Sequence, residues 1–500
     1  GLVIITSRIK LAFIDNQYEE LEKLEDSEGA ELLDSFELNG TKKELEQISN
    51  NFDGHALALK LLGSYTKVVL DGDINRIDEI ESLMNDKSNA SKHATKMLNS
   101  YKKYLQREGK IELDILKLVG FFDRAISIEV INVLKNKPLI ENINDNLIEV
   151  SERDWKYALD NLKKLHLISS NEKILDTHPL VREYFSKYIF DEYKDSYIKG
   201  HYRLYKYYEE LPEKELPDTI EEMEPLFQAI YHGCKALKYD EVHYNIYFKR
   251  INRESMIYLV NNLSSNDKVL QVLANFYKIK YSEFHKGLSE KLKIEITAHV
   301  AYALHTHGKV SQSLNLFCLD TNSYNLFLPS DSLVRNVTNI IDSYCILCDF
   351  SKIDIYYNKY SQYLTQCNDP EMEAIFLASY AYAHFLKGDI ENAKEIFIKT
   401  ENIILKNSTF TKNLLLSQRK NPIEIEKMIV KNIYSTMAYM YFELLFYIKD
   451  YGEIQKRIRN VLNFSIYANW PLDIGLCYIV LGKLKFLNNE MQKTDELGHQ

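Results

Sequence analysis

The sequence predicts a mostly α-helical protein built from several modules, and three observations carry that reading. First, the 500 residues contain only 9 Pro and 17 Gly, against average usage of roughly 5% and 7%. With so few breakers, helices run long. Second, a block recurs in the second half: Gly308-Lys-Val-Ser-Gln-Ser-Leu-Asn-Leu-Phe317, Cys348-Asp-Phe-Ser-Lys-Ile-Asp-Ile-Tyr-Tyr357 and Gly388-Asp-Ile-Glu-Asn-Ala-Lys-Glu-Ile-Phe397. A small residue returns at 308, 348 and 388 and an aromatic at 317, 357 and 397, a period of 40. That is the mark of stacked helical hairpins, where the small residue closes the turn and the aromatic fills the gap to the next hairpin. Third, only two stretches read as β: the opening run Gly1-Leu-Val-Ile-Ile-Thr-Ser-Arg8, and Leu167 to Leu175.

Taken in order, Gly1 to Arg8 is a short apolar run ending in the hydroxyl pair Thr6–Ser7 and a cation. It reads as a buried strand with a polar C-terminal edge, the edge where open α/β sheets bind ligands. Arg8 there suits phosphate oxygens. Such a strand needs a sheet, so the chain is read as the C-terminal part of a larger protein. An acidic helical stretch is expected from Tyr18 to Leu24, then a helix capped by Ser27 with Leu32, Leu33 and Phe36 as its apolar stripe, then a helix over Lys42–Asn51. Gly54 makes a turn before the Ala/Leu run up to Gly63. From Leu113 to Leu175 the order is helix ending at Gly120, two core Phe, helix from Ser127, helix from Trp155, hairpin around Asn171–Glu172. With a further helix opening at Thr177-His178-Pro179, this is a winged-helix pattern. From about residue 190 the chain reads as wholly helical. A weaker copy of the repeat at Asp450 follows an insertion rich in Asn, Ser, Thr and Lys over about 406–427. The modules are bounded at 1–15, 16–105, 106–188, 189–290 and 291–500.

Hydrophobic residues make up 45% of the chain, enough for real cores. A net charge of −10 and a pI of 5.8 argue against general nucleic-acid affinity. No run of about 18 uncharged apolar residues is present, so no membrane partner is expected. The six Cys lack zinc spacing. Cys345 and Cys348, three apart, are expected to share a helix face as core thiols, in a reducing cytoplasm. His299, His305 and His307 read as histidines on the repeat surface.

Three blocks together resemble the NB-ARC type of STAND signalling NTPase, in its bacterial form with tetratricopeptide-like repeats. The opening strand looks like the one ending in that family's sensor Arg. Gly54-His-Ala-Leu-Ala-Leu resembles its Gly-x-Pro-Leu-Ala-Leu segment against the adenine, with Ala56 in place of Pro. Thr177-His178-Pro-Leu resembles its Met-His-Asp block, with Pro179 in place of Asp. Leu116-Lys-Leu-Val-Gly-Phe-Phe-Asp-Arg is similar to the opening of its winged helix. The resemblance implies ADP or ATP in the intact parent, with Mg²⁺ accompanying ATP, and nucleotide-binding roles for Thr6, Arg8, Gly54 and His178. No Gly-x-x-x-x-Gly-Lys-Ser/Thr occurs, so neither hydrolysis nor tight nucleotide binding by this chain alone is expected, and no catalytic or metal-binding residue is assigned. The function implied is the regulatory and sensing portion of a signalling ATPase: nucleotide-gated closure, a protein or peptide on the repeats, and self-assembly of the intact parent. The alternatives are a nucleotide-independent repeat scaffold and a winged-helix transcriptional regulator.

Overall fold

The computed structural model describes residues 22–80, 90–171, 173–254, 257–327, 330–366, 369–406 and 433–498. The strand expected over Gly1–Arg8 lies outside them, as does the polar insertion beyond Lys406. The chain is mostly helical with a few short strands, and it divides after Leu204 into two compact units.

In the first unit, α1 (Asp26–Asp34), α2 (Lys42–Asn51) and α3 (Ala56–Val69) form a small bundle over buried Leu33, Leu45, Leu59 and Leu62. Glu22 to Leu24, expected to be helical, take no regular structure, and Glu25 rather than Ser27 caps α1. The reason is a reciprocal capping box: the Glu25 side chain takes the Glu28 amide, and the Glu28 carboxylate takes the Glu25 amide at 2.9 Å. Thr41 and Glu44 repeat that box before α2. Next come α4 (Ala90–Glu108) and α5 (Lys110–Val119), the latter stopping at Gly120 as the sequence predicts. There a Cβ would sit 2.8 Å from the Ser186 amide nitrogen, so only Gly permits the approach. Phe121 and Phe122 are buried beyond it.

Strand β1 (Ile126–Ser127) leads into α6 (Ile128–Lys135), capped by Ser127. After α7 (Glu152–Lys164), strands β2 (Ser169–Ser170) and β3 (Ile174–Asp176) complete an antiparallel sheet of order β1-β3-β2. The Asn171 carboxamide closes that hairpin by accepting the Lys173 and Ile174 amides, both at 2.8 Å. Then come α8 (Pro179–Glu192) and α9 (Lys194–Glu210). The buried Tyr101 hydroxyl ties α4 to α3, donating to the Leu61 carbonyl at 2.8 Å, and the bundle meets the sheet module where Ser64 Oγ lies 2.9 Å from His166 Nδ1.

The second unit opens with α10 (Ile220–Lys235). The short α11 (Tyr239–Val242) runs into a π-helical stretch over His243–Ile251, followed by α12 (Tyr258–Asn261) and α13 (Asn266–Leu273). The expectation of an all-helical region fails at β4 (Tyr277–Ile279) and β5 (Glu283–Phe284), an antiparallel hairpin. Its cross-strand pair Tyr277–Phe284 stacks at 4.1 Å, the aromatic pairing that favours strands.

Hairpins then stack: α14 (Glu290–Thr306) with α15 (Val310–Phe327), α16 (Ser330–Ile346) with α17 (Ile353–Tyr360), and α18 (Pro370–Leu386) with α19 (Ile390–Lys406). They are followed by α20 (Ser435–Tyr447) with α21 (Tyr451–Ala468), and by α22 (Pro471–Gly498). The 40-residue period has a backbone cause. Gly308, Cys348, Gly388 and Lys449 all take φ between 55° and 85°. At each, the following amide bonds the carbonyl five residues back: Lys309 to Leu304, Asp349 to Tyr344, Asp389 to His384, Asp450 to Leu445. This is the Schellman end, which calls for a left-handed residue. Leu237 (φ 60°) closes α10 in the same way, a further copy that the sequence does not reveal because the residue is not small. The repeated aromatics Phe317 and Phe397 are fully buried. Cys345 is buried, but Cys348 is exposed, because α16 has already ended and residue 348 supplies the left-handed turn.

Candidate functional site

Of the four candidate nucleotide residues, Thr6 and Arg8 lie outside the described residues. Gly54 and His178 are both in the first unit. Asp53 (φ 56°) and Gly54 (φ 59°) are consecutive left-handed residues that turn the chain from α2 into α3. The Gly54 amide bonds the Ser49 carbonyl at 3.1 Å. A Cβ on Gly54 would stand 2.0 Å from the Leu24 carbonyl oxygen, and the Leu24 amide donates to the Gly54 carbonyl at 3.0 Å. Gly54 thus receives the Leu24 backbone across its open face. His55 caps α3, its Nδ1 accepting the Ala58 amide at 3.1 Å.

His178 is exposed at the N-cap of α8, with Pro179 in the first helical position. Its Nδ1 accepts the Leu180 amide at 3.2 Å, which leaves the ring proton on Nε2. The amides of this helix start are already taken. Pro179 has no N–H, His178 Nδ1 takes the Leu180 amide, and the His178 carbonyl takes the Val181 amide at 2.9 Å. What this helix start still offers an anion is the positive end of the α8 dipole. The junction beneath is firmly held: Thr177 Oγ1 donates to the Leu167 carbonyl, and the buried Arg182 guanidinium pairs with Asp176. An imidazole so placed fits a phosphate group. The face of Gly54 is filled by protein backbone.

Two arrangements escaped the sequence reading. On α5, Lys117 Nζ donates to Asp114 and to the Asn142 carbonyl, each at 2.8 Å, while Asp114 accepts both nitrogens of Asn146. This buried pair is fully satisfied and pins the loop between α6 and α7. In the second unit, His243 and Tyr247 on the π-helical stretch face Glu295 and His299 on α14. His243 Nδ1 lies 3.7 Å from Glu295, and the two imidazoles are 6.5 Å apart. Burial lowers the His243 pKa to about 3 and that of His299 to about 4. His299 is half-buried, with its Nδ1 shielded from solvent, whereas His307 is exposed. The spacing of four in His243–Tyr247 and Glu295–His299 is the sequence signal that points to it. Among the described residues no three His, Cys, Asp or Glu side chains converge as a metal set, and no helix is long and apolar enough to cross a membrane.

The fold so defined is a two-unit helical protein: a bundle with a small three-stranded module, then a stack of helical hairpins. No protein family matches the sequence, and no curated protein does. Among solved structures, the chain is similar to a Signal Transduction ATPase with Numerous Domains (STAND) protein with a tetratricopeptide repeat sensor from Pyrococcus horikoshii. The identity is 13% and the TM-score 0.33, over 89% of this chain and 60% of that one. The chain thus spans less than two thirds of that protein.

Proposed function

We propose that this chain is the regulatory and sensing portion of a STAND-type signalling ATPase. On this reading, the three-stranded module is a winged helix, and with the helical bundle it closes over ADP held by a nucleotide domain. His178 and Arg8 read the phosphates from two sides, with Thr6 and Gly54 alongside. A protein or peptide on the hairpin stack loosens that closure, ATP with Mg²⁺ replaces ADP, and the parent assembles in the cytoplasm. The observation that carries this reading is the place of His178, an exposed imidazole held at the start of α8, directly after the three-stranded module, by the Leu180 amide. In a longer form that includes a phosphate loop, His178→Ala is expected to weaken ADP retention by about tenfold, the worth of one charge-assisted hydrogen bond. Unchanged ADP affinity by calorimetry removes His178 from the mechanism.

A second reading, a repeat scaffold that needs no nucleotide, is favoured by the division after Leu204, which leaves residues 205–500 with a core of their own. If that reading is correct, residues 190–500 capture the same partners as the full chain in a pull-down, and added nucleotide changes nothing. Loss of partners from the shorter chain, or their release by ADP, favours the first reading.

A further inference from the structure

One side chain joins two distant parts of the second unit. Asn262, which ends the short helix α12, is only 7% exposed. Its Nδ2 donates to the Asn469 carbonyl at 3.0 Å and to the Ala468 carbonyl at 3.4 Å, partners that lie 207 and 206 residues further along the chain. Those two oxygens stand at the C-terminal end of α21, where helix carbonyls lack partners within the helix and Asn469 turns left-handed at φ 56°. Helices α14 to α20 lie between in sequence, so the hairpin stack returns on itself at this point. Apolar packing does not make the joint. The buried core built on α10 to α14 and the one built on α18 to α22 share no residue. A middle core links them: Tyr302 and Leu316 pack against the first and the middle one, and Ile375 against the middle and the last. Hydrogen bonds that replace water contribute little net, whereas a shared core contributes much.

The joined form also carries costs of its own. Asn262 Oδ1 is shielded from solvent and has no hydrogen-bond partner among the described residues. Ile257 and Ser264, on either side of α12, are left-handed at φ 47° and 50°, a strained setting above all for a β-branched residue. Asp473, in the first turn of α22 just beyond the joint, is 6% exposed and makes no ion pair among the described residues. Burial pushes its carboxyl up to about 6. Its charge is felt at the Tyr302 hydroxyl of α14, which donates to Asn261 at 3.3 Å. Parting the joint returns Asn262 and Asp473 to water and lets α12 relax.

We propose that Asn262 is the latch of a two-state joint: closed, it holds α12 against the end of α21; released, it lets the two ends of the stack part and uncovers the polar side chains around Tyr302. A weak joint between separately cored parts is where such a unit opens first. A partner that touches the uncovered side chains binds the open form alone and shifts the balance toward it. That link to signalling rests on the sensing role proposed above. The latch itself does not, because it needs neither nucleotide nor partner.

The test is the distance between spin labels on the 500-residue chain, attached at Gln271→Cys on α13 and Asn463→Cys on α21, both exposed helix positions. Cys318, Cys348 and Cys367 are changed to Ser beforehand, so that the labels go where intended. A dominant short distance with a minor longer one is expected. Asn262→Ala removes the donors, and Asn262→Asp keeps the shape but sets an acceptor against two acceptors. Each should raise the longer-distance population about tenfold relative to the shorter, the worth of the lost hydrogen bonds. Asn469→Gly is the control: it keeps the left-handed backbone and the carbonyl, so the distribution should not move. A distribution that is the same in the parent and in both Asn262 variants overturns the proposal, as does a parent chain that is mostly open. Variants that unfold as a whole by circular dichroism overturn it too, because the contact then belongs to the core. None of these outcomes touches the sensing role, which the pull-down described above decides.

Discussion

Gly54→Ala tests how the first unit is assembled, because two separable costs meet at that residue. The first is conformational: at φ 59°, an L side chain costs roughly 1 kcal/mol. The second is steric: the new Cβ would stand 2.0 Å from the Leu24 carbonyl oxygen, where ordinary contact begins at 3.4 Å. Backbone has to move by more than an ångström, which costs about 1–3 kcal/mol as overpacking. The Leu24–Gly54 hydrogen bond goes with it, for about 1 kcal/mol more. The sum is roughly 3–5 kcal/mol. Gly388→Ala is the control: φ is 85° but nothing lies within 4 Å, so only the first cost of about 1 kcal/mol applies. The two tryptophans make the assay clean, since Trp155 reports on the first unit and Trp470 on the second. Urea unfolding followed by each fluorophore, with the other changed to Phe, gives the two midpoints. With slopes of about 1–3 kcal/mol per molar, Gly54→Ala should lower the Trp155 midpoint by more than 1 M. Gly388→Ala should lower the Trp470 midpoint several-fold less. Equal small shifts would refute the close approach of Leu24 to this turn.

The second unit should have a pH profile set by groups buried uncharged. Glu371, at the first turn of α18, accepts a hydrogen bond from the Tyr434 hydroxyl, and burial raises its pKa to about 8. Its folded pKa lies above the unfolded value, so the stability it contributes is complete below about pH 4.5 and is lost as pH rises through 8. Glu371→Gln should therefore flatten the fall in melting temperature between pH 6 and 9, and an unaltered slope would remove Glu371 as its cause. His243 and His299 act in the opposite sense: their lowered pKa values give stability that is present above about pH 6.5 and lost as pH falls toward 4. Replacing both with Phe should reduce the acid sensitivity of the Trp470 signal while leaving that of Trp155 unchanged.

What the sequence settled was local. Ser127 before α6, Pro179 at the start of α8 and Gly120 after α5 mark ends correctly, because a cap or breaker acts on amides and carbonyls within about one turn. The 40-residue period was legible for the same reason: a left-handed residue is needed at each turn, and Gly308 and Gly388 supply it cheaply. Glu25 could not be told from Ser27, since both are possible caps and only the reciprocal bond to Glu28 chose between them. Tertiary structure alone decided the rest. His299 looked like a surface residue until the π-helical stretch closed on it, and Tyr277–Phe284 became strands only by stacking on each other. Caps and turns are fixed by hydrogen bonds between near neighbours in the chain, whereas burial depends on which distant segment arrives, and no local pattern carries that information.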